Sequence, residues 1–180
     1  REIMKDRHRW FQRRRREMML AVVTGSEDPK PLPDHLRTAK IIGVDYLYGH
    51  CESTAGVLWV VGTDPDLFDY YLPERWRTTD QIRLFENHET YLTTSKDAVR
   101  LVWKVSRGAE DRETAAYGAP GFQLLAHGFN SPNEEVGHAY WLRRNGVRMM
   151  MPSAIYRTGH ISKLKESLFD PSRYQSHKDL

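Results

Sequence analysis

The sequence is almost without cysteine. Cys51 is the single thiol in 180 residues, which excludes an intramolecular disulfide and any zinc site built on several thiolates. A reducing, intracellular compartment is the simplest expectation, with nuclear and cytoplasmic locations both open. Long apolar runs are also missing. Nothing approaches the roughly 18–20 residues of a membrane-spanning helix, and the basic start does not read as a signal peptide. The phosphate-cradling patterns GxGxxG and GxxxxGK[ST] do not occur, nor do the metal patterns HExxH and HxH. Carboxylates stand singly or in loop-like stretches such as "GSED" and "GAEDRE", where solvation accounts for them. Neither a metal nor an organic cofactor is expected.

What is present is ordinary in total and lopsided in distribution. Hydrophobic residues make up 39% and charged residues 28%, the balance of a globular domain. The net charge of +3 hides a strong asymmetry. Residues 1–20 hold eight Arg and Lys against three Asp and Glu, a net +5, so the other 160 residues carry −2. The segment "RHRWFQRRRR" (Arg7 to Arg16) contains six of those arginines, with Trp10 and Phe11 among them. Any attraction to a polyanion originates mainly at this end. The chain starts at Arg1 rather than at methionine, as expected of an excised domain or a processed product.

Three parts are expected: a basic amphipathic helix over 1–23, a Pro/Gly-containing linker over 24–38, and an α+β body over 39–180. Residues 2–22 contain neither Gly nor Pro and read as one helix. At 100° per residue, Ile3, Met4, Trp10, Phe11, Met18, Ala21 and Val22 fall within about 120°. Arg7 and Arg14 fall inside that same apolar sector. The linker "TGSEDPKPLP" follows, and would let helix and body move independently; the other reading open is that the apolar sector packs on the body, with arginine stems running past it and their heads pairing with acids there.

In the body, "AKIIGVDYLY" (39–48) and "GVLWVVG" (56–62) read as strands. "DPDLFDYYLP" reads as a short helix capped by Asp64, opened by Pro65 and stopped by Pro73. Thr78-x-x-Gln81 has the capping-box pattern and predicts another helix. "VRLVWKVS" (99–106) alternates as a half-buried strand, and residues 107–121 read as a long loop. Ser131-Pro-Asn-Glu134 is a stronger capping box, predicting a helix to Arg144 that stops at Asn145-Gly146. A strand over "VRMMM" (147–151) and a final helix over 161–169 complete the reading. Strands and helices mix without βαβ alternation, so the class is α+β.

The arginine-rich helix suggests a nucleic-acid-binding or chromatin-type interaction module. Arg7, Arg9, Arg13, Arg14, Arg15 and Arg16 would contact phosphates, and Trp10 would stack on a base or anchor the helix. Two alternatives remain open. One is an enzyme, either a hydrolase with Cys51 as nucleophile and His138 or His127 as base, or a metal-independent ribonuclease using histidines. The order of Cys51 before these histidines resembles that of papain-like NlpC/P60 hydrolases, with "HCES" standing where that family carries "DCSG". The other is a non-catalytic subunit whose basic helix docks on an acidic protein surface.

Overall fold

The structure, a computed structural model, describes residues 2–24, 31–86, 89–105 and 131–159; in the first of these spans, side chains are described for 7–18 and 20. The protein is α+β, with a helix at the N-terminus and two antiparallel sheets. Helix α1 (Glu2–Thr24) has the extent its composition predicts, uninterrupted by Gly or Pro. The expected loop over 107–121, the final helix over 161–169 and much of the linker lie outside the described residues.

The first sheet has the order β1-β2-β3-β7, formed by β1 (Arg37–Ile41), β2 (Val44–Cys51), β3 (Gly56–Val61) and β7 (Ala154–Arg157). The stretch 39–48 is therefore a hairpin and not one strand. Ile41 pairs with Val44, leaving a two-residue turn in which Ile42 and Gly43 have φ of 49° and 71°. Tight hairpin turns of this kind need positive φ at both central residues. Isoleucine in the first of them gives no sequence signal, since β-branched residues rarely adopt that conformation. Contact with the rest of the protein offsets the strain. A Cβ at Gly137 would lie 2.6 Å from Ile42 Cγ2, so the missing side chain of that glycine makes room for the turn.

Gly137 lies in helix α4 (Pro132–Arg144). Its start is as predicted: the Ser131 side chain accepts from Glu134 N at 3.2 Å, and Ser131 N donates to Glu134 Oε2 at 2.9 Å. Two orphan donors are thereby satisfied reciprocally. The stretch 147–151, expected as a strand, is irregular. Val147 N donates to Leu142 O to finish the helix, and the free edge of β3 is taken by residues 154–157.

Between the sheets lie the short helices α2 (Phe68–Tyr71) and α3 (Pro73–Trp76). Asp64 caps the 3-10 turn Pro65–Leu67 ahead of them by accepting from Asp66 N. Pro73 does end α2, and it also opens α3 at a position where its missing N–H costs nothing. Asp69 binds them to the next sheet, accepting from Arg75 and from Lys96. Burial alone would push this carboxyl up, but the bonds from Lys96 and Arg75 hold it below the ordinary aspartate value.

The second sheet, β4-β5-β6, consists of β4 (Ile82–Arg83), β5 (Thr90–Thr94) and β6 (Arg100–Lys104). A helix after Thr78 is thus replaced by a hairpin. The Thr79 and Thr93 hydroxyls approach to 2.7 Å, and Gln81 Nε2 donates to Arg77 O instead of capping Thr78. The Thr79–Thr93 contact and Tyr91 stacked across the strands on Trp103 at 4.6 Å outweigh a local capping pattern. On β6 the predicted alternation holds, with Leu101 and Trp103 turned inward and Arg100, Val102 and Lys104 exposed. Trp76 joins the two sheets, 5.5 Å from Trp103 and edge-on to Tyr156 at 6.2 Å.

Candidate nucleic-acid interface

Helix α1 lies against the body by its apolar sector. Phe11 and Met18 are buried at 1% and 4% exposure and belong to the main core with Tyr46, Leu47, Leu58, Val60, Tyr70 and Tyr140. The Phe11 ring sits 4.5 Å from Tyr70 and 6.0 Å from Tyr71. Trp10, half-buried, packs at the edge of the same cluster 6.1 Å from Tyr70. Of the two readings open for this helix, a tethered arm or a helix packed on the body, the burial of Phe11 and Met18 is that of the packed helix.

The two arginines that interrupt the apolar sector meet acids there. Arg7 pairs with Asp97 at 3.2 Å. Asp97 lies in the turn between β5 and β6 with φ of 55°, a left-handed conformation that aspartate tolerates better than most residues. Its other oxygen accepts from Tyr70 Oη at 3.0 Å. Burial, and then this bond to Asp97, pushes the Tyr70 hydroxyl up to about 12. Arg14 binds Asp64 at 2.5 Å, with the aspartate side chain only 7% exposed. The hydrogen bond to Asp64 outweighs desolvation and raises the Arg14 pKa. Arg15, at the rim of the sector, donates to Ser153 Oγ at 2.9 Å and to Met151 O at 3.4 Å. Three arginines thus clip one helix to three separate places: a hairpin turn, a helix cap and the entry to β7.

Arg9, Arg13 and Arg16 are exposed, as is the Arg7 side chain, 60% exposed at its pair with Asp97. At 100° per residue the first three fall within about 60° of one another, directly opposite the buried sector. Arg13 makes an exposed pair with Glu17 at 3.8 Å, an interaction worth a few tenths of a kcal/mol that an anionic ligand displaces easily. Arg9 to Arg16 spans seven residues, about 10.5 Å of helix rise. The arginines expected to contact phosphate therefore divide into an inner set spent on the fold and an outer stripe facing solvent. Sequence supplied the sector; the three acceptors Asp64, Asp97 and Ser153, at separations of 50, 90 and 138 residues, carried no local signal.

Of the enzymatic candidates, the Cys51–His138 pair is not assembled. Cys51 ends β2 and is 1% exposed. Burial first, and the Glu74 carboxylate second, push its thiol up to about 11, the reverse of an activated nucleophile. His138 is exposed on α4 beside Gly137, which abuts Ile42 at the far end of the hairpin. From Val44 to Cys51 is seven strand steps, roughly 23 Å, so thiol and imidazole stand at opposite ends of β2. His127 lies outside the described residues. Among the described residues, no three His, Cys, Asp or Glu side chains gather as metal ligands would. No helix among them is long and apolar enough to cross a membrane.

These properties give a prediction for the thiol. At pH 7.5 a group with a pKa near 11 is ionised in about one molecule in 3,000. Iodoacetamide is expected to modify Cys51 at least ~100-fold more slowly in the native protein than in urea. Equal rates in the two states would show that the thiol is neither buried nor suppressed.

No family model, curated protein or solved structure matches this chain.

Proposed function

We propose that the protein is a nucleic-acid-binding interaction module whose contact surface is the outer stripe of α1. The observation that carries the reading is the division of the arginines. Arg7, Arg14 and Arg15 fix the helix on the body, while Arg9, Arg13 and Arg16 point the other way from the same rigid element. A helix held along its length presents its guanidinium groups without losing much conformational freedom on binding. Guanidinium is suited to phosphate because its planar fork donates two parallel hydrogen bonds. At one phosphate for each guanidinium, the three arginines of the stripe engage up to about three phosphates.

In this reading recognition is of the backbone and insensitive to base sequence. Trp10 serves as an anchor against Tyr70, not as a stacking platform. The test is titration with a fluorescent oligonucleotide, single-stranded and duplex, across a salt series. Three phosphate contacts give a log–log slope of about −2.7 on duplex, or roughly a 40-fold loss of affinity between 50 and 200 mM salt. A protein that ignores both DNA and RNA at 50 mM salt would refute the proposal.

A further inference from the structure

The second sheet ends on β6, the terminal strand of the order β4-β5-β6, and among the described residues no strand pairs with its far side. Which main-chain groups face that side follows from the bonds to β5. Val105 N donates to Glu89 O and Ser95 N donates to Val99 O. In this antiparallel register Val99, Leu101, Trp103 and Val105 turn their N–H and C=O toward β5. Arg100, Val102 and Lys104 therefore turn theirs outward. The same three residues carry exposed side chains. Val102, 52% exposed, completes an apolar row with Leu92 and Ile82, which stand opposite one another across the three strands. Arg100 and Lys104 flank it, and the three strands contain no Asp or Glu. Lys104 meets Glu135 of α4 at 2.6 Å, which occupies one of the three donors of its ammonium.

We propose that this edge receives an extended, acidic peptide segment of a partner protein as a further strand. Main-chain N–H and C=O groups at strand spacing are matched by another strand, and neither a nucleic acid nor a lipid offers their complement. Side chains on the face of Val102 set the preferred sequence. An apolar residue opposite Val102 extends the row from Ile82, and carboxylates two places to either side meet Arg100 and Lys104. The same cations argue against a second copy of this chain. In the antiparallel pairing of β6 with itself centred on Val102, Arg100 would face Lys104 of the other copy, and like charges directly opposite are destabilising. Cations on an edge strand thus deter self-pairing while leaving the edge open to an acidic strand.

The probe is a short fluorescent peptide with a central valine, glutamates two places to either side and threonines between, titrated with the full chain by anisotropy. Binding is expected, at least ~10-fold weaker when lysines replace the glutamates and about threefold weaker in the Arg100→Gln variant. Methylating the amide nitrogen of the peptide's central valine should also weaken it at least ~10-fold, since a main-chain bond is lost and a methyl group enters the contact. That change leaves the protein untouched, so folding is not at issue. Hydrogen exchange locates the contact. The Val102 and Lys104 amides should exchange quickly in the chain alone, beside protected Leu101 and Trp103, and gain protection with peptide. The Arg9→Gln/Arg13→Gln/Arg16→Gln variant should keep its peptide affinity, which separates this edge from the outer stripe of α1. Three results would overturn the proposal. One is no binding at ~1 mM peptide. Another is binding that is indifferent to the N-methyl group or lost in the α1 variant. The third is protection of the same amides by concentration-dependent self-association without peptide, which would assign the edge to a second copy.

Discussion

Phe11→Ala is expected to lower the unfolding free energy by about 3–5 kcal/mol. That is a large share of the 5–15 kcal/mol that holds a domain together. The ring is 1% exposed and wedged between Tyr70 and Tyr71, and both tyrosines are themselves buried. Removing it opens a cavity where α1 meets α2, and the loss combines the transfer of the ring with the void left behind. Urea denaturation followed by circular dichroism measures this directly, through a fall in midpoint at constant slope. The outcome discriminates sharply. If α1 were an arm on a tether, Phe11 would be a surface residue and its truncation would cost no more than about 0.5 kcal/mol. A change that small would show that the helix does not belong to the core.

The second large effect lies in the Arg14–Asp64 pair. Arg14→Met removes the cation while keeping an apolar stem, and is expected to cost about 2–3 kcal/mol. A broken buried pair costs 3–5 kcal/mol, and the value is discounted here because the arginine side chain is 26% exposed and its partner 7%. The loss is mainly the penalty of leaving the Asp64 carboxylate without its cation in a site largely closed to water. Asp64 has a second duty, accepting from Asp66 N at 3.2 Å as the cap of the Pro65–Leu67 turn. Two substitutions separate the roles. Asp64→Asn keeps the cap and loses the charge; Asp64→Ala loses both and should be worse by about 1 kcal/mol. A double-mutant cycle with Arg14→Met should return a coupling above about 1 kcal/mol, since the groups touch. Additive losses would mean that the pair contributes nothing as a pair.

How much of this was legible in the sequence depended on whether the information was local. Helix α4 could be read at both ends because Ser131, Glu134 and Asn145-Gly146 act on their own neighbours. The alternation on β6 was likewise visible, as was the apolar sector of α1. The failures were of two kinds. Thr78-x-x-Gln81 is a genuine local pattern that lost to cross-strand pairing: Tyr91 finds Trp103, and Thr79 finds Thr93. The turn at Ile42-Gly43 is the opposite case, where the local sequence argues against a turn that contact with Gly137 stabilises. For the site, Arg7 and Arg14 inside an apolar sector signalled that anionic groups would face the helix. Which groups they were depended on the path of 50 to 90 intervening residues. The outer stripe became visible only once the inner face was known.

The consequence for function is a change in which arginines count. Removing positive charge from α1 does not act uniformly, because half of the cluster is structural. Substitutions at Arg14 or Arg15 should lower stability first and binding only through it, while the exposed pair of Arg7 with Asp97 contributes less. Those at Arg9, Arg13 and Arg16 should act mainly on binding.

One measurement tests this division most directly: the salt dependence of oligonucleotide affinity in the Arg9→Gln/Arg13→Gln/Arg16→Gln triple variant, beside its thermal midpoint. The expected result is a log–log slope shallower by about 2.7 on duplex, with a midpoint within a few degrees of the unmodified protein. An unchanged slope, or a midpoint that collapses while the slope holds, would contradict it.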